Sequence, residues 1–452
     1  MRIWTPALLV CFIAFAALPA HAQTSAKSIV VQSADAMGGT ALLRSIHSVE
    51  DVYVGERQMV EQSERPTGPY LIDHFEVDEV RDLNTGNVWS QSQHWGYAGS
   101  QWWLQQTKPD TQTSILNGNV QALIGSDGKQ QYAGASGVSL QRDTFAFAPE
   151  RLLLTALAAP DLRRLPDVID HGMRHDVVAF TWNGETCSLE INASTHLPWQ
   201  LTYTHAYDDY IFYSAWGDVT TQLTFTGWSL EPNGLHYPRE WTYRRLGLPD
   251  EQISIMQLHF NVPIDAVKMT VDPVILNSAP KGPRSISAIA FVGKRFQVTS
   301  IAPNFIQAQS SWNVEFVDQP DGVIVIEAPI APNYAKGAFA FAFPHIAGVR
   351  QAVAEGIPVY ALDLNLPILR RLIAAPHRFI ADDLQRRPRA PQFIPVTGRT
   401  TIGSGASALE ILPYRTVTAE RQMMVYMPTA HLLYTSDLFQ EMEMAVGSPR
   451  NT

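Results

Sequence analysis

His171 and His175 stand four residues apart, the spacing that would put two imidazoles on one helix face to share a metal ion. Gly172 and strand-like neighbours argue for a loop instead, where that spacing has no such meaning. Cys187 is a second candidate, because a thiolate beside a base is a nucleophile. It lies in Phe180-Thr-Trp-Asn-Gly-Glu-Thr-Cys187-Ser-Leu-Glu-Ile191, which reads as two strands about an Asn-Gly turn. A lone strand cysteine is a small buried hydrophobe. Gly403-Ser404-Gly405 is a hairpin turn rather than a phosphate cradle, since no helix opens after it. Arg386-Arg-Pro-Arg389 sits beside Asp382 and Asp383 and reads as a solvated loop. No Gly-x-Ser-x-Gly elbow marks a serine hydrolase.

The elements that would position such groups belong to a chain of 452 residues, long enough for two or three domains. At 46% hydrophobic and 17% charged residues it has ample core material and a sparse charged surface. The balance of 33 basic to 43 acidic residues, net −10, excludes a nucleic-acid binder that works by neutralising phosphates. Arg2, the apolar run Ala7 to Leu18 and Ala20-His21-Ala22 have the form of a signal peptide over residues 1–22, leaving Gln23 first in the mature chain. The run is too short to span a bilayer, and no later segment offers eighteen apolar residues without a charge. The expectation is an exported protein, periplasmic or secreted, with no transmembrane segment in the mature chain. Cys187 would then be its sole thiol, so stability must come from packed cores and not from a disulfide.

Residues 30–46 read as one short amphipathic helix, and Pro149 to Ala159 as a second, opened by Pro149 and closed by Pro160. Nearly everything else from 49 to 262 reads as strand, including Val177–Trp182, Cys187–Ile191, Trp199–Tyr203, Thr221–Phe225 and Ile253–Leu258. Regular turns between them predict consecutive antiparallel hairpins, a curved half-barrel over residues 27–265. Nine of the eleven tryptophans lie between Trp89 and Trp241. Trp95, Trp102, Trp103, Trp216 and Trp228 would either line an apolar cavity for an amphiphile or form the core between sheet and helices. A linker follows at 266–289, punctuated by proline and glycine. Beyond it strands and helices alternate: strands at 296–301, 312–317 and 322–327, a helix from 346 stopped by Gly356, a strand at 358–362, a helix at 366–375, then strands to 435. The whole is an α+β, two-domain chain whose second domain has α/β layers.

Three stretches of that second part carry a resemblance. They are Val314-Glu-Phe-Val with Asp321-Gly-Val-Ile-Val-Ile-Glu-Ala-Pro329; Pro344-His345-Ile-Ala-Gly-Val-Arg350 leading to Gly356-Ile-Pro-Val-Tyr; and Met424-Val-Tyr-Met-Pro with Leu432-Leu-Tyr-Thr-Ser-Asp437. In this order they resemble the metallo-β-lactamase-fold hydrolases, which implies an α/β sandwich over residues 290–452. The opening Ala36-Met-Gly-Gly-Thr-Ala-Leu-Leu-Arg-Ser-Ile46 and hairpins such as Leu189-Glu-Ile-Asn-Ala-Ser-Thr-His-Leu-Pro198 resemble periplasmic lipoprotein-carrier domains, which are half-barrels.

The hydrolase resemblance implies metal ligands, and most are missing. A catalytic zinc needs about three protein ligands to bring its bound water near neutral pKa. Setting His345 at the end of the family's His-x-His-x-Asp-His motif leaves Ala340, Ala342 and Pro344 where the other ligands belong. Setting Asp437 at the bridging aspartate puts Thr418 at a histidine position, and no histidine follows His431. His345 and Asp437 are the surviving metal candidates, with Glu420 a conceivable recruit for zinc. Only residues 330–337 separate Pro329 from the apolar run 338–343, too few for a helical crossover between parallel strands, so the domain is expected to be incomplete. The expected function is an exported envelope protein of the metallo-β-lactamase-fold type, non-catalytic and without a cofactor, whose half-barrel binds an amphiphilic molecule. The alternative is a metal-dependent hydrolase of a small ester or amide.

Overall fold

The computed structural model describes residues 24–60, 68–96, 110–133, 137–279, 297–309, 314–320, 322–326, 348–414 and 422–435. Helix α1 (Ala26–Ala36) starts at Ser25, whose Oγ accepts a hydrogen bond from the Ser28 amide, and it buries Ile29, Val30 and Ala34. It ends at Gly38 and Gly39, whose φ angles of 122° and 100° suit glycine alone. A side chain at Gly38 would also stand 2.9 Å from the Gly234 carbonyl. The single helix expected over 30–46 is therefore two, with α2 (Thr40–Ser45) turned away from the first.

Thirteen strands then form one curved antiparallel sheet. They are β1 (Ser48–Gln58), β2 (Ile72–Asp82), β3 (Asn87–Gly96), β4 (Asp110–Asn117), β5 (Val120–Ile124), β6 (Gln130–Tyr132), β7 (Arg163–Asp170), β8 (Met173–Trp182), β9 (Glu185–Asn192), β10 (Pro198–Ala206), β11 (Asp218–Leu230), β12 (His236–Arg245) and β13 (Leu248–Phe260). The order β6-β5-β4-β3-β2-β1-β13-β12-β11-β10-β9-β8-β7 joins two meanders where β1 meets β13. Between β6 and β7 the chain makes α3 (Val138–Ala146) and α4 (Pro149–Ala158). Helix α4 begins at Pro149, as the sequence predicts. The sequence gives no sign of α3, which is tied to the sheet when Asp143 accepts hydrogen bonds from His205 Nδ1 (2.7 Å) and the Tyr207 hydroxyl (2.8 Å).

Strand alternation sends one side chain in two to the concave face. Val178, Leu189, Leu201, Leu223 and Tyr243 lie opposite one another across five strands, in a continuous apolar row. With Phe147, Leu152 and Leu153 from the helical side and Phe180, Tyr207, Phe225, Tyr237 and Trp241 they form the main core. On the other face Trp89, Ile115 and Ala122 are covered by Met269, Val271 and Ile275, the last on α6 (Pro273–Ser278), a helix capped by Asp272. The stretch expected as a linker thus packs on the sheet as far as it is described.

The C-terminal strands are β14 (Gln297–Ala302), β15 (Phe305–Gln309), β16 (Val314–Gln319), β17 (Gly322–Ile326), β18 (Val359–Leu362), β19 (Phe393–Val396), β20 (Thr400–Ile402), β21 (Leu409–Tyr414), β22 (Gln422–Met427) and β23 (Leu432–Tyr434). Sheets β14–β17 and β20–β23 are antiparallel and share a core of Phe305, Val317, Ile326, Leu409 and Met427, which makes a sandwich. Among the described residues only β18 and β19 run parallel, so the expected α/β layering is confined there to this pair. The reason is local: Ala302 pairs with Phe305 and Gln319 with Gly322, spacings too short for crossovers, so these neighbours form hairpins. The helices here are α7 (Gly348–Glu355), α8 (Leu366–Ala374) and α9 (Asp383–Arg386).

The two parts meet along α8 and the residues after it. Ile368, Leu372 and Ala375 pack against the main core. The buried Asp218 carboxylate accepts from Arg378 Nε (2.8 Å) and from the amides of Arg378 (3.1 Å) and Phe379 (3.2 Å). Arg350 of α7 pairs with Asp382 and caps α8 through the carbonyls of Leu372, Ile373 and Ala375.

Candidate functional site

A cavity of about 100 Å³ opens where the ends of β1 and β2 meet the β12–β13 hairpin and α5 (Ile211–Ser214). The hairpin loop is two residues, Leu246 and Gly247, both with positive φ (55° and 72°), which matches the right-handed twist of the strands. A left-handed conformation is costly for leucine. It is held because the Leu246 amide donates to the Thr220 carbonyl (2.9 Å), Arg371 of α8 donates to the Leu246 carbonyl, and the side chain packs on the core. The C-terminal part therefore fixes one wall of the cavity.

Leu246, Leu248, Pro249, Tyr213, Trp216 and Met59 make that lining mainly apolar. Its floor is a closed set of charges: Arg245 pairs with Asp250, which also accepts the Tyr213 hydroxyl. The Arg245 guanidinium stacks 4.7 Å from the Tyr243 ring. Burial pushes the Tyr213 phenol up to about 12, so it stays a neutral donor. At the rim Arg57 is one-third exposed, and its nearest acid, Glu251, lies 3.6 Å away. That carboxylate raises the Arg57 pKa and keeps the group cationic. Among the described residues the lining contains no serine, threonine, cysteine or histidine; its acidic groups are Asp73 and Asp250. A mainly apolar slot with Arg57 at its rim beside Glu251 and Asp73 suits the end of an amphiphile. It is smaller than the roughly 300–1,000 Å³ typical of whole-ligand pockets, so it takes a chain end or one ring.

The candidates singled out by residue type are scattered. His345, Asp437 and Glu420 lie outside the described residues, as do residues 1–22, Trp102 and Trp103. Among the described residues no three His, Cys, Asp or Glu side chains gather to hold a metal ion. His171 sits in the β7–β8 turn with φ 47°, while His175 is buried in β8 and packs at 5.6 Å from Trp199. Cys187 is fully buried, and burial pushes its thiol up to about 12, which rules it out as a thiolate nucleophile. Of the tryptophans, Trp216 is buried core and one cavity wall, Trp228 packs against the core, and Trp95 on β3 is exposed. The cavity itself drew no notice in the sequence, because four distant segments build it and no local spacing marks it.

No protein-family model matches the chain, and no curated protein matches it. Among solved structures it is similar to an outer membrane lipoprotein-sorting protein domain from Vibrio parahaemolyticus (6% identity, 54% of this chain and 95% of that one, TM-score 0.30). It is also similar to a DUF1329 family protein from Desulfovibrio piger (10% identity, 54% and 95%, TM-score 0.31). LprF from Mycobacterium bovis is a third (11% identity, 53% and 94%, TM-score 0.22). Scores this low carry no weight for fold or function; the half-barrel rests on the strand pairing above. No helix among the described residues is long and apolar enough to cross a membrane.

Proposed function

We propose that this is an exported envelope protein that holds the apolar end of an amphiphilic molecule in the Tyr213–Leu248 cavity and catalyses no reaction. The observation that carries the reading is the lining itself, mainly apolar walls over a neutralised Arg245–Asp250 floor with no serine, cysteine or histidine among the described lining residues. The N-terminal residue pattern, Arg2 with the apolar run before Ala22, supports export to the periplasm or beyond. The carrier-like opening around Met37-Gly-Gly supports a binding role for the half-barrel.

On this reading the C-terminal part is a metallo-β-lactamase-like domain that has lost its metal and serves as a brace. Support comes from the order β16, β17, α7, β18, α8 and from the sandwich core, together with Ala340, Ala342 and Pro344 at would-be ligand positions. Zinc would need His345 and Asp437 plus recruited ligands.

Titrating the full chain with dodecanoate while following tryptophan fluorescence tests the binding claim, since Trp216 lines the cavity. Saturable quenching is expected, at least tenfold weaker in Leu248→Trp, which fills the slot. Equal affinity in both proteins would refute this cavity as the site.

A further inference from the structure

Three carboxylates and one guanidinium meet under the first turn of α4. Arg81 Nη1 lies 2.9 Å from Asp51 Oδ2 and 2.7 Å from Glu79 Oε1, and its Nε lies 3.3 Å from Glu150 Oε1. The Tyr237 hydroxyl donates to the other Glu150 oxygen at 2.9 Å. Asp51 and Glu150 are 1% exposed and Arg81 3%; only Glu79 reaches solvent. Fully ionised, the group would carry two uncompensated negative charges inside the protein, which is costly unless protons neutralise them.

We propose that Asp51, Glu79 and Glu150, gathered round the guanidinium of Arg81, form a proton-dependent latch that seats the first turn of α4 on the sheet and loosens as pH rises toward and through neutrality.

The geometry says which carboxyl holds the proton. Glu79 has the shortest contact with Arg81, and Glu150 has a tyrosine donor and the favourable N-terminal end of a helix. Neither oxygen of Asp51 has a well-aligned hydrogen bond among the described residues. The other groups facing it do not add positive charge. Tyr53 on β1 and Tyr237 on β12 are held neutral, their pKa raised by burial. Arg151 of α4 turns away, over the Phe145 ring at 4.6 Å and toward the Leu83 carbonyl. Burial foremost, with Glu79 and Glu150 adding and Arg81 opposing, raises Asp51 from 3.8 to about 7. A carboxyl whose folded pKa is raised stabilises the fold in acid, and that contribution is lost as pH climbs from about 4 through about 7. Glu150 sits on α4, so the repulsion that appears above neutrality falls between that helix and β1–β2. Helix α4 in turn touches α1, α2, α3 and β12, so it covers much of the concave face.

Hydrogen exchange of the amides in 149–158, in the full chain and corrected for the intrinsic pH dependence, tests the latch between pH 5.5 and 8.5. Protection should fall at least tenfold over that range in the wild type, while amides of β9 keep theirs. In Asp51→Asn, which cannot ionise, protection should stay high throughout. In Glu79→Gln the fall should be smaller and shifted to lower pH, because a neighbour that raises Asp51 is gone. Constant wild-type protection, or an Asp51→Asn profile that falls like the wild type, overturns the proposal. Should Asp51→Asn not fold, an unchanged Glu79→Gln profile overturns it.

Discussion

Helix α4 lies across two unlike stretches of one concave surface. Over β8–β13 it presents Leu152, Leu153 and Ala156 to a buried cluster of aliphatic and aromatic side chains. Over β1 and β2 its first turn presents Glu150 to Asp51, Glu79 and Arg81. The first stretch gains from removing apolar area from water, about 25 cal/mol per Å², and does not depend on pH. The second sheds part of its excess negative charge only by binding a proton. One face of one sheet therefore supplies both the stability and the sensitivity, and substitutions should tell the two stretches apart.

The largest effect is expected from Arg81→Met, which strands two buried carboxylates and the partly exposed Glu79. It should cost about 3–5 kcal/mol in denaturant unfolding at pH 7.5 and markedly less at pH 5, where protons replace the guanidinium. Leu201→Ala in the apolar stretch should cost about 2–4 kcal/mol by the same measurement, equally at both pH values. A pH-dependent loss at Leu201 would erase the contrast. Asp218→Asn weakens the clasp to Arg378 and Phe379 and should cost about 1–2 kcal/mol, with dodecanoate binding falling because the cavity hairpin loses its brace. Asp51→Asn should have the smallest effect: a gain of about 1–2 kcal/mol at pH 8 that shrinks as pH falls below 7 and vanishes only near pH 4, read from the same unfolding curves.

The same contrast explains what could be read from the residues alone. The β8–β10 hairpins were legible because Asn183-Gly184 fixes a turn and the apolar residues on either side alternate in step with the pleat. Pro149 marked the start of α4 for an equally local reason. Asp51 and Arg81 were not legible, because alternation assigns charged residues to the solvent face, and here they hold inward positions beside Val49, Tyr53 and Val77. Their partner Glu150 comes from a distant helix, a pairing no local pattern carries. The break between α1 and α2 depends on positive φ at two glycines that a helical periodicity overlooks. In the C-terminal part most strand positions matched, but β15 and β19 were not expected, and alternation with helices suggested parallel layers where hairpins prevail. The cavity was invisible for the reason Glu150 was: its walls come from β1, β2, α5 and the β12–β13 loop.

Binding without metal chemistry is the central claim, and native mass spectrometry of the full chain with one equivalent each of dodecanoate and zinc tests it most directly. The account predicts a one-to-one dodecanoate adduct in the wild type, none in Leu248→Trp, and no stoichiometric zinc. A zinc adduct abolished by His345→Ala or Asp437→Ala, or dodecanoate bound equally by Leu248→Trp, would contradict it.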